Sequence, residues 1–306
     1  MRILITGGAG FIGSHIAESF QGKAEVVILD DFRSGDRKNL IGLNYKLIEG
    51  SILDEAKLRE AMQGVDQVFH LAAMISVMES VLKPQECEAL NSHGTLKVLE
   101  AAIQAKVQKV VLASSAAIYG NNPTVPKVES MPPEPQSPYA STKLDGERLL
   151  ERFRTEHGLA TTSLRFFNVF GPRQNPQSAY AAAVPIFIAQ AIKGEDINIY
   201  GDGEQTRDFI YVGDIVSALT FAAANPAMHG TYNVGYGQKI SINDLARLII
   251  KLTHSSSRII YHPARLGDVK HSLASNAKLA NAGWKPLYTF DSGMAKTVDY
   301  FAKLKA

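Results

Sequence analysis

The chain has almost none of the residues that staple small extracellular domains: its 306 residues include one cysteine and one tryptophan. A single thiol, Cys87, closes no intramolecular disulfide. With no CxxC pair or histidine cluster around it, no metal site is expected, and Cys87 is read as a buried or incidental thiol. Runs of five or six like charges are also missing, and 32 Lys plus Arg against 30 Asp plus Glu leave +2. No nucleic-acid or anionic-membrane partner is expected from such a balance. No apolar stretch reaches the roughly 18 residues of a membrane span, and MRILITGGAG enters a strand-like run without a basic leader, which predicts a cytoplasmic protein. Internal repeats and low-complexity segments are lacking. What remains, 45% apolar and 20% charged, is the composition of an ordinary globular protein, and the length predicts two domains.

Short β-branched runs alternate with amphipathic segments. RILIT precedes a helix near Ser14 to Gln21, VVILD one near Glu55 to Met62, QVFHLAA one near Gly94 to Ala105, and KVVLASS closes the series. This rhythm predicts βαβ units and a doubly wound parallel sheet of the Rossmann type, covered by helices on both faces. NNPTVPKVESMPPEPQSP, with six prolines, must be an irregular loop, because proline removes donors and restricts its preceding neighbour. It leads into a helix from about Tyr139 to His157. TSLRFFNVFG reads as one further strand, and a helix follows near Val184 to Lys193. A nucleotide-binding domain over 1–165, rejoined by about 209–235, and a smaller mixed α/β substrate domain over most of 166–306 are therefore expected.

Within GGAGFIG, Gly7, Gly10 and Gly13 follow a strand and open a helix. Gly7 permits a tight turn, Gly10 lets backbone approach a pyrophosphate, and Gly13 allows close helix packing. Asp30 ends VVILD about 20 residues on, where a carboxylate accepts from the adenosine ribose hydroxyls and repels a 2′-phosphate. NAD is thereby favoured over NADP, with Arg33 and Arg37 close enough to blunt the preference. Further along, Tyr139 and Lys143 stand four apart on one helix face, so an ammonium is expected to lower the phenol toward a usable base. Ser114 and Ser115 end a strand at the carboxyl edge, where such sheets place ligands, and the Ser115 hydroxyl is suited to donate to the same substrate oxygen.

GGAGFIG, Asp30, the HLAA run ending at Ala73, SSAAIYG, PYASTK, RFFNVFG and GDGEQTRDFIYV resemble the extended short-chain dehydrogenase/reductases, specifically the UDP-hexose 4-epimerases, over almost the entire chain. The resemblance implies a catalytic triad of Ser115, Tyr139 and Lys143 with Asn91 supporting it. It also implies NAD lined by Phe11, Ile12, Asp31, Ser34, Ile52, Leu71, Ala72, Ala73 and Phe166. On the substrate side it assigns Arg207 and Arg265 to a diphosphate, Asp268 to a ribose, Asn198 and Tyr200 to uracil, and Asn168 and Val184 to the substrate wall. A homodimer through the helices beginning near Gly94 and Tyr139 is implied in the same way.

Three positions refine the reaction. Related 4,6-dehydratases carry an Asp-Glu pair where this chain has Ala116 and Ala117, and uronate decarboxylases a glutamate. Eliminating water from a 4-keto sugar needs an acid and a base that alanines do not supply. The expected reaction is therefore transient oxidation at C4, rotation of the 4-keto sugar about its diphosphate link, and re-reduction from the other face. Ser272 stands where glucose-restricted epimerases have a bulky tyrosine, so the acetylated UDP-hexosamine pair, and/or UDP-glucose and UDP-galactose, is the expected substrate. Two departures are visible: Ser51 replaces an aspartate that contacts adenine, and Ile75 a lysine near the sugar phosphates. A uronate 4-epimerase or a 4-keto nucleotide-sugar reductase would share every cofactor motif. A non-catalytic nucleotide sensor on the same fold would have no need of the triad.

Overall fold

The computed structural model describes residues 1–177, 182–264 and 270–305. Its first half runs β1 (Arg2–Thr6), α1 (Phe11–Ser19), β2 (Glu25–Asp30), β3 (Lys46–Glu49), α2 (Glu55–Ala61), β4 (Gln67–His70), α3 (Val77–Leu82), α4 (Pro84–Glu88), α5 (Gly94–Gln104), β5 (Lys109–Ser115), α6 (Pro138–His157) and β6 (Ala160–Phe166). The second half runs β7 (Asn168–Phe170), α7 (Ala183–Lys193), β8 (Ile197–Tyr200), β9 (Thr206–Arg207), β10 (Phe209–Tyr211), α8 (Val212–Ala224), β11 (Gly230–Val234), β12 (Ile240–Ser241), α9 (Ile242–Thr253), β13 (Ile259–His262), α10 (Ala277–Asn281) and α11 (Phe290–Lys305).

Seven strands form one sheet in the order β11-β6-β5-β4-β1-β2-β3, every neighbour parallel. The order reverses between β1 and β4, and such a switch point opens a crevice at the carboxyl ends of the strands. Alternate side chains of each strand feed opposite cores. Ile3, Ile5, Ile28, Val111 and Leu164 pack on one face with Ile16, Ile215 and Leu219. Leu4, Val27, Leu29, Val68 and Val110 pack on the other with Leu58, Val98, Leu99 and Leu150. Both faces are dry, which is why the strands read as unbroken apolar runs. A third core, with Phe187, Ile188, Leu245, Ile249, Met294 and Val298, joins α7, α9 and α11 beside the sheet. The segment 209–234 returns to the large sheet: α8 packs on α1, and β11 pairs with β6 from Gly230↔Thr162 to Val234↔Phe166.

The structure departs from the sequence reading at three places. QVFHLAA stops being a strand at His70, because the next residues turn across the glycine loop, with Leu71 N–H donating to Thr6 O at 3.1 Å. TSLRFFNVFG is two strands in two sheets; Asn168 N–H donates to Asp208 O at 3.0 Å, which draws β7 onto β10. The helix at Gly94 continues a helical run that includes α3, α4 and a π turn over Ala89–His93, with Pro84 at a helix start where its missing N–H costs nothing.

Candidate functional site

The site assembles at the switch point. Gly7 holds φ +71°, and a Cβ there would lie 2.8 Å from Ala72 N, so only glycine fits that turn. A Cβ on Gly13 would lie 2.3 Å from Gly7 O and 2.7 Å from Gly8 Cα. Gly10 is the N-cap of α1 without a capping side chain, leaving the helix's first N–H groups, at Phe11 and Ile12, without intrahelical partners and aimed at any anion in the crevice. Asp30 lies beside this loop, 7% exposed. Its two oxygens accept from Ala9 N and Phe32 N, each at 2.8 Å, and burial pushes its carboxyl above the ordinary range against those two donors. A carboxylate offers about four lone-pair directions, so capacity for ribose hydroxyls remains. This cradle of bare backbone, anion-seeking helix start and carboxylate fits NAD.

Around the cradle, Leu71, Ala72 and Ala73 are half-buried, and Asp31 and Ser34 are exposed at its mouth. Arg33 is occupied by Asp31 and Glu86 and Arg37 by Glu49. The side chains of Ile52, Phe166 and Val184 are buried in the three cores. Asn91 is equally committed: its amide accepts from Met74 N at 2.7 Å and donates to Met74 O and Thr142 Oγ1, each at 3.0 Å. It braces α6 from behind.

The triad converges on the end of β5. Ser115 Oγ accepts from Ala117 N at 3.1 Å and faces the Tyr139 phenol, an interaction that lowers the phenol's pKa. Ser137 caps α6 through Ala140 N, with Pro138 in the first turn, and this places Tyr139 at the helix start facing β5. One turn on, Lys143 Nζ donates to Ala113 O at 2.9 Å and stands 5.8 Å from the Tyr139 ring centroid. Burial pushes the phenol above its usual value despite Ser115 and brings Lys143 down to about 8. The net lowering of Tyr139 expected from the lysine is therefore not found: desolvation outweighs the Ser115 bond, which is the group that lowers the phenol here. Ser114, the other strand serine, is turned away: its hydroxyl donates to Glu147 Oε1 at 2.5 Å.

On the far wall, Ser272 N–H donates to Thr206 O at 3.0 Å, which sets Ser272 beside Arg207. Arg207 Nη1 itself donates to Thr206 O at 3.0 Å. Asn168 Nδ2 donates to Asp208 O at 3.2 Å. The Asn198 amide is engaged at both ends, by His262 Nε2 at 2.7 Å and Asp196 O at 3.4 Å, whereas Tyr200 is 41% exposed and packs on His262 with centroids 5.3 Å apart. Ser51 Oγ accepts from Leu53 N, and Ile75 is exposed. Arg265 and Asp268 lie outside the described residues.

Two groups escaped the sequence reading. Fully buried Asp208 accepts from Tyr236 N, Gly237 N and Ala274 N at 2.9–3.0 Å and is pushed up to about 6 by burial; it ties the strand after Arg207 to the segment that carries Ser272. Arg165 donates twice to Glu147, at 2.9 and 2.7 Å. A charged residue between Leu164 and Phe166 in β6 was the available signal for it.

The family model of the NAD dependent epimerase/dehydratase family matches residues 3–235, and the chain belongs to that family. The UDP-glucose 4-epimerase of Mycolicibacterium smegmatis is 38% identical, covering 98% of each chain. Among solved structures, the UDP-N-acetylglucosamine 4-epimerase from Methanobrevibacter ruminantium, in complex with UDP-N-acetylmuramic acid, superposes with a TM-score of 0.95 at 39% identity, over 99% of this chain and 98% of that one. The Thermus thermophilus UDP-glucose 4-epimerase complex with NAD gives 0.89 at 36%, over 98% and 99%. Decarboxylases and dehydratases are also among the relatives. Among the described residues, no helix is long and apolar enough to cross a membrane.

Gly13→Ala is expected to weaken NAD binding by about tenfold to a hundredfold, since overpacking against backbone costs about 1–3 kcal/mol. Titration with NAD checks it; an unchanged affinity would mean that the loop relaxes freely.

Proposed function

We propose that this protein is a UDP-hexose 4-epimerase, with Ser115, Tyr139 and Lys143 as its catalytic residues. Alanine at 116 and 117 carries the reading. The turn Ala116–Tyr119 continues directly from Ser115, and at its head stand two methyl groups where dehydration or decarboxylation needs an acid or a base. NAD, when bound, supplies a reversible acceptor of hydride. Tyr139, as phenolate, takes the proton of the C4 hydroxyl and later returns it; Ser115 donates to the same oxygen, and Lys143 holds the phenolate by its charge. Because the sugar must turn between the two half-reactions, its diphosphate needs a fixed grip, a task suited to the guanidinium forks of Arg207 and Arg265.

Ser272 leaves volume for a 2-acetamido group, so the acetylated UDP-hexosamines are the preferred substrates, with the non-acetylated pair also turned over. Half-buried Leu96, Ile103 and Leu149 on α5 and α6 support a homodimer through those helices, to be checked as twice the chain mass by light scattering. The experiment on function is incubation with UDP-glucose, UDP-N-acetylglucosamine and UDP-glucuronate, followed by anion-exchange separation. Fastest appearance of the acetylated galacto epimer is expected, and Ser272→Tyr should slow that substrate more than UDP-glucose. Equal slowing of both would remove the basis of the sugar assignment, and 4-keto or pentose products would overturn the reaction.

A further inference from the structure

Behind the triad, a histidine that no proposed step uses is built into the centre of the sheet. His70 ends β4 and is 1% exposed. Its Nδ1 lies 2.7 Å from Thr6 Oγ1 and its Nε2 lies 2.9 Å from Thr95 Oγ1. The surrounding bonds determine which nitrogen carries the proton. Thr95 spends its hydroxyl proton on Asn91 O at 2.6 Å, so it accepts from Nε2–H. Thr6 Oγ1 accepts from Leu71 N at 3.2 Å and Ala72 N at 3.3 Å, which leaves its own proton for Nδ1.

We propose that His70 is a positioning residue that locks the cofactor loop and the catalytic helix into one register through Thr6 and Thr95. At one end, Thr6 precedes Gly7, whose turn packs on Ala72. At the other, Thr95 is bonded to Asn91, Asn91 Nδ2 donates to Thr142 Oγ1 at 3.0 Å, and Thr142 Oγ1 donates to Tyr139 O at 3.0 Å. The chain of bonds therefore runs from the amides that line the cradle to the backbone of the catalytic tyrosine. It is directional, with each hydroxyl proton assigned, and it works only while His70 is neutral. Burial, together with the nearby Lys143 charge, holds the imidazole down at about 3, so neutrality is kept across the working range. A reaction in which a 4-keto sugar turns and is reduced again tolerates little drift between the cofactor loop and the phenol, since reacting atoms must stay within about 3–3.5 Å.

This inference rests on the epimerase reading for its kinetic arm but not for its binding arm. His70→Phe keeps a flat, slightly larger ring and removes both of its bonds; Thr95→Val, nearly isosteric, removes the bond to Nε2 together with that to Asn91 O. For each variant and the pair, NAD affinity, kcat, KM and the growth of absorbance at 340 nm during turnover would be measured beside the melting temperature. Each single change is expected to weaken NAD binding and lower kcat by about tenfold, to leave KM within about twofold, and to leave reduced cofactor stranded during turnover. The pair should be little worse than the stronger single change, because both cut one chain, and His70→Gln, which restores a donor toward Thr95, should recover part of the loss. Melting temperature falling while NAD affinity and kcat stay at wild-type values would overturn the proposal, as would fully additive effects. If the wild-type protein turns over no UDP-sugar, the epimerase reading fails while NAD affinity and its coupling between positions 70 and 95 still decide this one.

Discussion

Tyr139→Phe is expected to reduce epimerase turnover by about 10²–10⁴-fold, the range contributed by a positioned acid–base group, with NAD affinity and melting temperature near wild type. The backbone of residue 139 keeps its bonds in the variant, to Ser80 Oγ at 3.1 Å and Thr142 Oγ1, so the loss isolates the phenolic oxygen. The pH profile carries the same chemistry. Burial holds the phenol above its ordinary value and Lys143 at about 8, so the active pair of phenolate and ammonium is most populated between about 8 and the raised phenol value. Below that window the phenolate fraction falls tenfold per pH unit while the lysine stays charged, and kcat/KM should follow with unit slope. Turnover unchanged in Tyr139→Phe, or an optimum below pH 6, would overturn the mechanism.

Arg165→Met is expected to give the largest loss of stability, about 3–5 kcal/mol, the usual consequence of leaving one member of a buried pair alone. The side chains of Arg165 and Glu147 are 6% and 7% exposed, and Glu147 also holds Ser114, so the stranded carboxylate would keep one neutral donor. Because Glu147 lies one turn beyond Lys143 on α6, its relaxation would disturb the face of the helix that carries the triad. Replacing both partners, Arg165→Met with Glu147→Leu, should recover most of the loss, since two apolar groups of similar size need no desolvation of charge. Urea unfolding followed by circular dichroism gives the comparison. A single variant within about 1 kcal/mol of wild type would mean that water reaches Glu147.

Much of the architecture was legible because the parallel sheet writes itself plainly. RILIT and KVVLASS coincide with β1 and β5 residue for residue, since strands dry on both faces need continuous β-branched runs. β3, four residues long at the sheet edge with Lys46 and Glu49 exposed, escaped notice because nothing in KLIE separates it from a loop. The helices α3 and α4 escaped for the opposite reason: Pro84 hides their continuity with α5, although as the first residue of a helix it interrupts no internal bond.

By itself, the sequence determined the βαβ order, the glycine turn, and the chemical identity of the groups now seen at Ser115, Tyr139 and Lys143, because backbone conformation and side-chain spacing on one helix are local properties. Tertiary structure alone decided which of those groups are free to act. It turned Ser114 away onto Glu147, committed Asn91 and Asn198 to bonds within the fold, raised the phenol by desolvation, and strung Thr6, His70 and Thr95 into a single chain. Those outcomes depend on neighbours 17 to 64 residues away along the chain. Hydrogen-bond satisfaction and burial are set by what packs against a residue, and no local pattern encodes that.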